Sequence, residues 1–129
     1  MAAAKPPRRK KRPRRESFPR ALREFTYIPS LDGVDENLLI MFHGLGDSHE
    51  PYAELARRMA LPQTACLAIQ APYPLPFGLG HAWHQALDNN FEFIRPTAGD
   101  LRRVESLRGT RALLSKFLGE LLVHGGKCG

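Results

Sequence analysis

A chain of 129 residues with 43% apolar content has room for one small domain, and its net charge of +6 is unevenly spread. Ten of its nineteen Lys and Arg residues lie between Met1 and Arg23 beside a single Glu, leaving nine basic and twelve acidic residues from Glu24 to Gly129, a net −3. A mildly acidic body argues against a stable nucleic-acid complex, two cysteines (Cys66 and Cys128) make neither a disulfide framework nor a zinc ligand set, and no apolar run reaches the about 18 residues of a membrane span.

In chain order, residues 1–23 read as a disordered tail, because Pro6-Pro7-Arg8-Arg9-Lys10-Lys11-Arg12-Pro13-Arg14-Arg15 repels itself and offers no apolar partners. Such a segment suits nuclear targeting or contact with RNA or acidic lipid. With no apolar leader, the composition points to a reducing, cytoplasmic setting, or a nuclear one through the tail. Phe25 to Ile28 predicts a short strand, and Asp32-Gly33 a turn leading into a fully buried strand, Leu38 to Phe42, so that the two strands form a hairpin.

Asp47-Ser48-His49-Glu50 offers N-cap residues with capping-box spacing for a helix from Glu50 to about Leu61, whose apolar face is Tyr52, Leu55, Ala56 and Met59. Thr64 to Gln70 is a second apolar strand closed by Ala71-Pro72, and strand, helix and strand in this order make a right-handed βαβ unit with parallel strands. Pro72 to Gly99 reads as a long functional loop around Trp83. A helix from Asp100 to Val123 follows, with Val104, Leu107, Leu114, Leu118, Leu121 and Leu122 on its apolar face and Gly125-Gly126 as its cap. The class is α/β, built on an incomplete sheet.

The stretch from Leu38 to Ser48 carries the chemistry. An apolar strand ends in His43-Gly44-Leu45-Gly46-Asp47, a glycine-flanked turn before a helix, where backbone N–H groups can polarise an anionic oxygen. His43 reads as a brace for this turn rather than a general base, because no positioned nucleophile accompanies it. His81 and His84 lack a third metal ligand. Trp83 either faces a substrate or packs. His124-Gly125-Gly126 follows a helix, so it is a cap rather than an oxyanion loop, and Asp88 and Glu92 read as solvated carboxylates.

Phe42 to Ser48, then Ala71-Pro72, then Trp83 together resemble the phospholipase/carboxylesterase family of α/β-hydrolases, which includes acyl-protein thioesterases and lysophospholipases. The resemblance implies that residues 24–129 are the N-terminal portion of such a domain, acting on a small acyl ester, a lysophospholipid or an acylated protein without metal or other cofactor. It implies a Ser–Asp–His triad and an oxyanion donor at the Leu45 N–H. Where that family has Ala-Trp-Phe-Asp, this chain reads Ala82-Trp83-His84-Gln85, which bears on substrate range. None of Ser17, Ser30, Ser48, Ser106 and Ser115 stands in a G-x-S-x-G elbow, so all three triad residues are expected beyond Gly129 and none in this chain. The alternative is a non-catalytic binding or vestigial protein with a basic targeting tail.

Overall fold

The computed structural model describes residues 13–97 and 99–126. Three strands form the main sheet: β1 (Phe25–Ile28), β2 (Asn37–Phe42) and β3 (Thr64–Ile69), in spatial order β1-β3-β2. Helix α1 (Glu50–Met59) connects β2 to β3, which pair in parallel from Asn37 opposite Thr64 to Phe42 opposite Ile69. The expected βαβ unit is thus present. The hairpin is not: β1 pairs antiparallel with β3, from Phe25 opposite Ile69 to Ile28 opposite Cys66, and does not touch β2 in the ladder.

This pairing decides which strand is buried. With a neighbour on each side, β3 is covered from Ala65 to Ile69. β2 has β3 on one side only, so the fully buried strand expected there is instead an edge, with Leu39 and Phe42 39% and 46% exposed. An apolar edge with free backbone groups invites pairing with other chains. We expect Leu39→Lys to reduce light scattering by the concentrated chain while shifting unfolding stability by no more than about 1 kcal/mol, since a lysine stem can lie along the strand.

Alternation along the strands puts Phe25, Leu67 and Ile69 into one core, where they meet Phe18, Leu22 and Phe117. Phe18 and Leu22 belong to the basic segment. Two short 3-10 turns, Arg15–Ser17 and Arg20–Leu22, fold it back onto the sheet. Arg15 donates to the carbonyls of Arg23 and Phe25 at 2.6 and 2.7 Å, and its guanidinium lies 4.5 Å from the Phe25 ring centroid. The ordered body therefore begins well before the boundary read at Arg23. The more strongly charged residues 1–12 lie outside the described residues.

α1 packs on β1 and β3, and its buried side chains are Ala53 and Ala56. Small residues let the helix lie close, so Leu55, expected inward, faces out at 47% exposure. The helix stops at Met59 because Ala60 turns left-handed (φ 45°), two residues before Pro62. His49 occupies the N-cap position with no side-chain cap bond, and the Asp47 carboxylate accepts from the Ser48 N–H at 2.8 Å rather than forming the expected capping box.

α2 (Leu101–Gly126) begins after Asp100, whose carboxylate accepts from the Arg102 N–H at 3.1 Å. Gly125-Gly126 lies within its last turn rather than capping it. Its inward face carries Ser106, Thr110 and Phe117, with Leu113, Leu114 and Leu121 beside the core, while Leu118 and Leu122 are exposed. Among the described residues no helix is long and apolar enough to cross a membrane.

Candidate oxyanion turn

The turn after β2 is built from its glycines. The Asp47 N–H donates to the Gly44 carbonyl at 3.2 Å, and Gly46 has φ +80°. A four-residue turn with glycine at a positive third position is the signature of type II, with Leu45 in the second position. Leu45 is half exposed, and among the described residues nothing accepts a hydrogen bond from its N–H. The peptide is thus presented outward at the carboxyl end of a parallel strand.

His43 sits behind this turn, buried, with both ring nitrogens engaged. Its Nε2 accepts from the Ala71 N–H at 2.9 Å, and its Nδ1 lies 2.8 Å from the Gly44 carbonyl, to which it donates. An imidazole that accepts at one nitrogen and donates at the other is neutral and has no lone pair left for a nucleophile. The Ala71-Pro72 strand end thus supplies the N–H that fixes His43. Replacing His43 with Leu orphans the buried Ala71 N–H; we expect a loss of about 1–3 kcal/mol, read from urea unfolding.

Trp83 closes the other side. Its indole N–H donates to the His43 carbonyl at 2.7 Å, and its ring packs on Phe42 and His43 at centroid distances of 5.3 and 5.4 Å. α2 holds this loop in place: Thr110 donates to the Trp83 carbonyl at 2.6 Å, and the Ser106 hydroxyl accepts from the Gln85 N–H at 2.8 Å while donating to the Arg103 carbonyl. These bonds explain two buried polar residues on a helix face that leucine spacing alone would place elsewhere. They also commit the Ser106 hydroxyl. Among the described residues no serine hydroxyl hydrogen-bonds a histidine.

The segment from Pro72 to Gly99, expected to be a long functional loop, contains two short strands, β4 (Tyr73–Pro74) and β5 (His81–Ala82), paired antiparallel. β5 clasps the turn: the Gly46 N–H donates to the His81 carbonyl and the His81 N–H to the Asp47 carbonyl, both at 3.0 Å. Gly80, at φ +84°, passes so close to Gly46 and Asp47 that a side chain there has no space. Behind β4 an open cavity of about 420 Å³ has Leu75, Leu87 and Phe91 among its apolar lining and His84, Gln85 and Asp88 as its polar lining. Phe77, 81% exposed, meets Phe91 at its rim with 5.5 Å between ring centroids.

His81 and His84 hold no metal geometry, and among the described residues no three His, Cys, Asp or Glu side chains are grouped as metal ligands. Burial lowers the pKa of His81 below its ordinary 6.5, assisted by the nearby His43 and His49. The folded chain thus holds the His81 proton less tightly than the unfolded chain. Its contribution to stability is complete above 6.5 and is lost as pH falls from 6.5 through the lowered folded value. We expect the urea midpoint to fall across that window and His81→Gln to flatten the slope. Cys66 is buried, which raises its thiol pKa, so it stays protonated and inert.

This fold, with the turn at the end of β2, is that of part of an α/β-hydrolase. The crystal structure of esterase PE8 matches it with a TM-score of 0.62 at 23% identity, over 81% of this chain and 46% of that one. An uncharacterized hydrolase of Schizosaccharomyces pombe is 31% identical over 100 residues, and one of Mycosarcoma maydis is 42% identical over 81. The matches cover 74% and 57% of this chain, and the chain spans 40% and 31% of those relatives. No family model matches.

Proposed function

We propose that this chain supplies the oxyanion half of a serine hydrolase for carboxylic esters or thioesters, of carboxylesterase, lysophospholipase or acyl-protein thioesterase type. The observation that carries this reading is the Leu45 N–H, held outward by a type II turn that His43, Trp83 and β5 brace from behind. A fixed backbone donor beside a helix N-terminus stabilises the alkoxide that develops when an ester or thioester carbonyl is attacked. The nucleophilic serine, the histidine that takes its proton and the aspartate that orients the histidine belong to sequence beyond Gly129. The mainly apolar cavity behind β4 and the phenylalanines at its rim favour a substrate with an aliphatic acyl group.

The turn geometry supplies a clean test. Proline is favoured at the second position of a type II turn and has no N–H. In a longer product carrying the triad, Leu45→Pro should leave thermal stability nearly unchanged and lower kcat by about 10²–10³-fold, the usual effect of removing one oxyanion donor. An unchanged kcat would remove the oxyanion role.

A further inference from the structure

The clasp on the turn is made by the main chain of His81, and the His81 ring is itself held. Its Nε2 lies 3.3 Å from Nε2 of Gln70. An amide nitrogen only donates, so the His81 Nε2 accepts and the ring proton is on Nδ1. The other end of the same amide, Oε1, lies 2.9 Å from Nδ1 of the buried His49 and accepts its proton. The relay therefore runs in one direction, from His49 at the N-cap of α1, through Gln70 at the end of β3, to His81 on β5.

This polarity has a visible cost. The His81 Nδ1 is buried and among the described residues has no hydrogen-bond partner, so the relay holds a proton where none of them receives it. The groups that bear on the His81 charge are His43 and His49, and both resist it. Asp47 meets His81 through the main chain. Gln70 is fixed from the opposite side as well, its N–H donating to the Glu24 carbonyl at 2.9 Å. One amide, anchored in the sheet, decides the tautomer of the residue that clasps the turn.

We propose that Gln70 is a positioning residue: by donating to His81 and accepting from His49 it orients β5, and through the His81 main chain it sets the turn that presents the Leu45 N–H. The relevance to catalysis rests on the oxyanion reading above; the relay itself does not. Breaking the relay loosens the turn without removing any group from it.

The test uses the isotopically labelled 129-residue chain, with long-range ¹H–¹⁵N spectra to read histidine tautomers and amide exchange to read the turn. In the unsubstituted chain His81 should carry its proton on Nδ1. Gln70→Glu keeps the shape but offers only acceptors, so His81 should move its proton to Nε2 or become charged. The Gly46 and Asp47 amides should then exchange faster by on the order of tenfold while Leu67 keeps its protection, because local opening is separable from global unfolding. Gln70→Ala should speed the same two amides and leave the His81 tautomer mixed. An unchanged tautomer and unchanged Gly46 exchange in both variants would overturn the proposal. So would parallel loss of protection at Leu67 in both, which would make Gln70 a support of the sheet alone. In a longer triad-bearing product, Gln70→Glu should lower kcat with little change in KM. If the spectra move as expected and kcat does not, the relay stands and the oxyanion reading of the turn fails.

Discussion

Replacing Gly80 with Ala should cost about 3 kcal/mol or more of stability, among the largest effects of any single methyl group in this chain. The added Cβ would collide with the Gly46 carbonyl group and lie 2.8 Å from the Asp47 carbonyl oxygen, all of it backbone that cannot rotate away. Gly80 also sits at φ +84°, where a side chain is strained by roughly 1 kcal/mol or more before any contact is made. Relief requires β5 to lift from the turn, breaking the two bonds between His81 and the Gly46–Asp47 pair. Gly44→Ala is the control, because the space beside Gly44 is open and its φ is not positive. Urea unfolding of both variants should show a large loss for the first and a small one for the second. Equal losses would mean that β5 does not clasp the turn.

The second large effect lies in a segment whose charge disguises it. Phe18→Ala should destabilise the chain by about 3–5 kcal/mol, the usual cost of removing a buried aromatic ring. Phe18 is 2% exposed, and its ring lies 4.4 Å from that of Phe117 and 5.5 Å from that of Phe25. Three rings from the N-terminal segment, β1 and α2 therefore meet over the central strand. Leu118→Ala, one residue along α2 and 40% exposed, should cost less than about 1 kcal/mol. The reverse order would restore the helix face drawn from leucine spacing and return Phe18 to a tail.

These two contrasts show where the sequence is legible. The β2–turn–α1–β3 unit is local: apolar runs mark its strands, glycines its turn and Pro62 the end of its helix, and the structure has each of them. Strand pairing is not local. Nothing in Phe25 to Ile28 says that β1 lies beside β3 rather than β2, and that choice makes β2 an edge. In α2 the leucine pattern misplaces the buried face, because Ser106 and Thr110 point inward to hold the backbone of Gln85 and Trp83. Further along the same helix Phe117 is the fully buried apolar side chain. Ten basic residues from Met1 to Arg23 hide the two apolar side chains, Phe18 and Leu22, that join this segment to the core.

At the candidate site His43, Gly44, Leu45, Gly46 and Asp47 lie together as their contiguity requires, and Trp83 reaches them through the His43 carbonyl. Two parts were invisible in advance. The clasp by Gly80 and His81 joins positions more than thirty residues from the turn, and the Gln70 relay depends on a polar side chain closing an otherwise apolar strand. Neither has a periodic or compositional signature. Both come into view only once β5 is seen to lie against the turn.

The most direct measurement is fluorophosphonate labelling of the native gene product and of the 129-residue chain side by side, with the adduct located by peptide mass. The expected result is a longer native product labelled on a serine beyond Gly129 within a G-x-S-x-G sequence, and no adduct on the 129-residue chain. An adduct on Ser17, Ser30, Ser48, Ser106 or Ser115 would contradict the account by placing the nucleophile in this chain. A native product of 129 residues that takes no label would contradict it as well, leaving the turn without a reaction to serve.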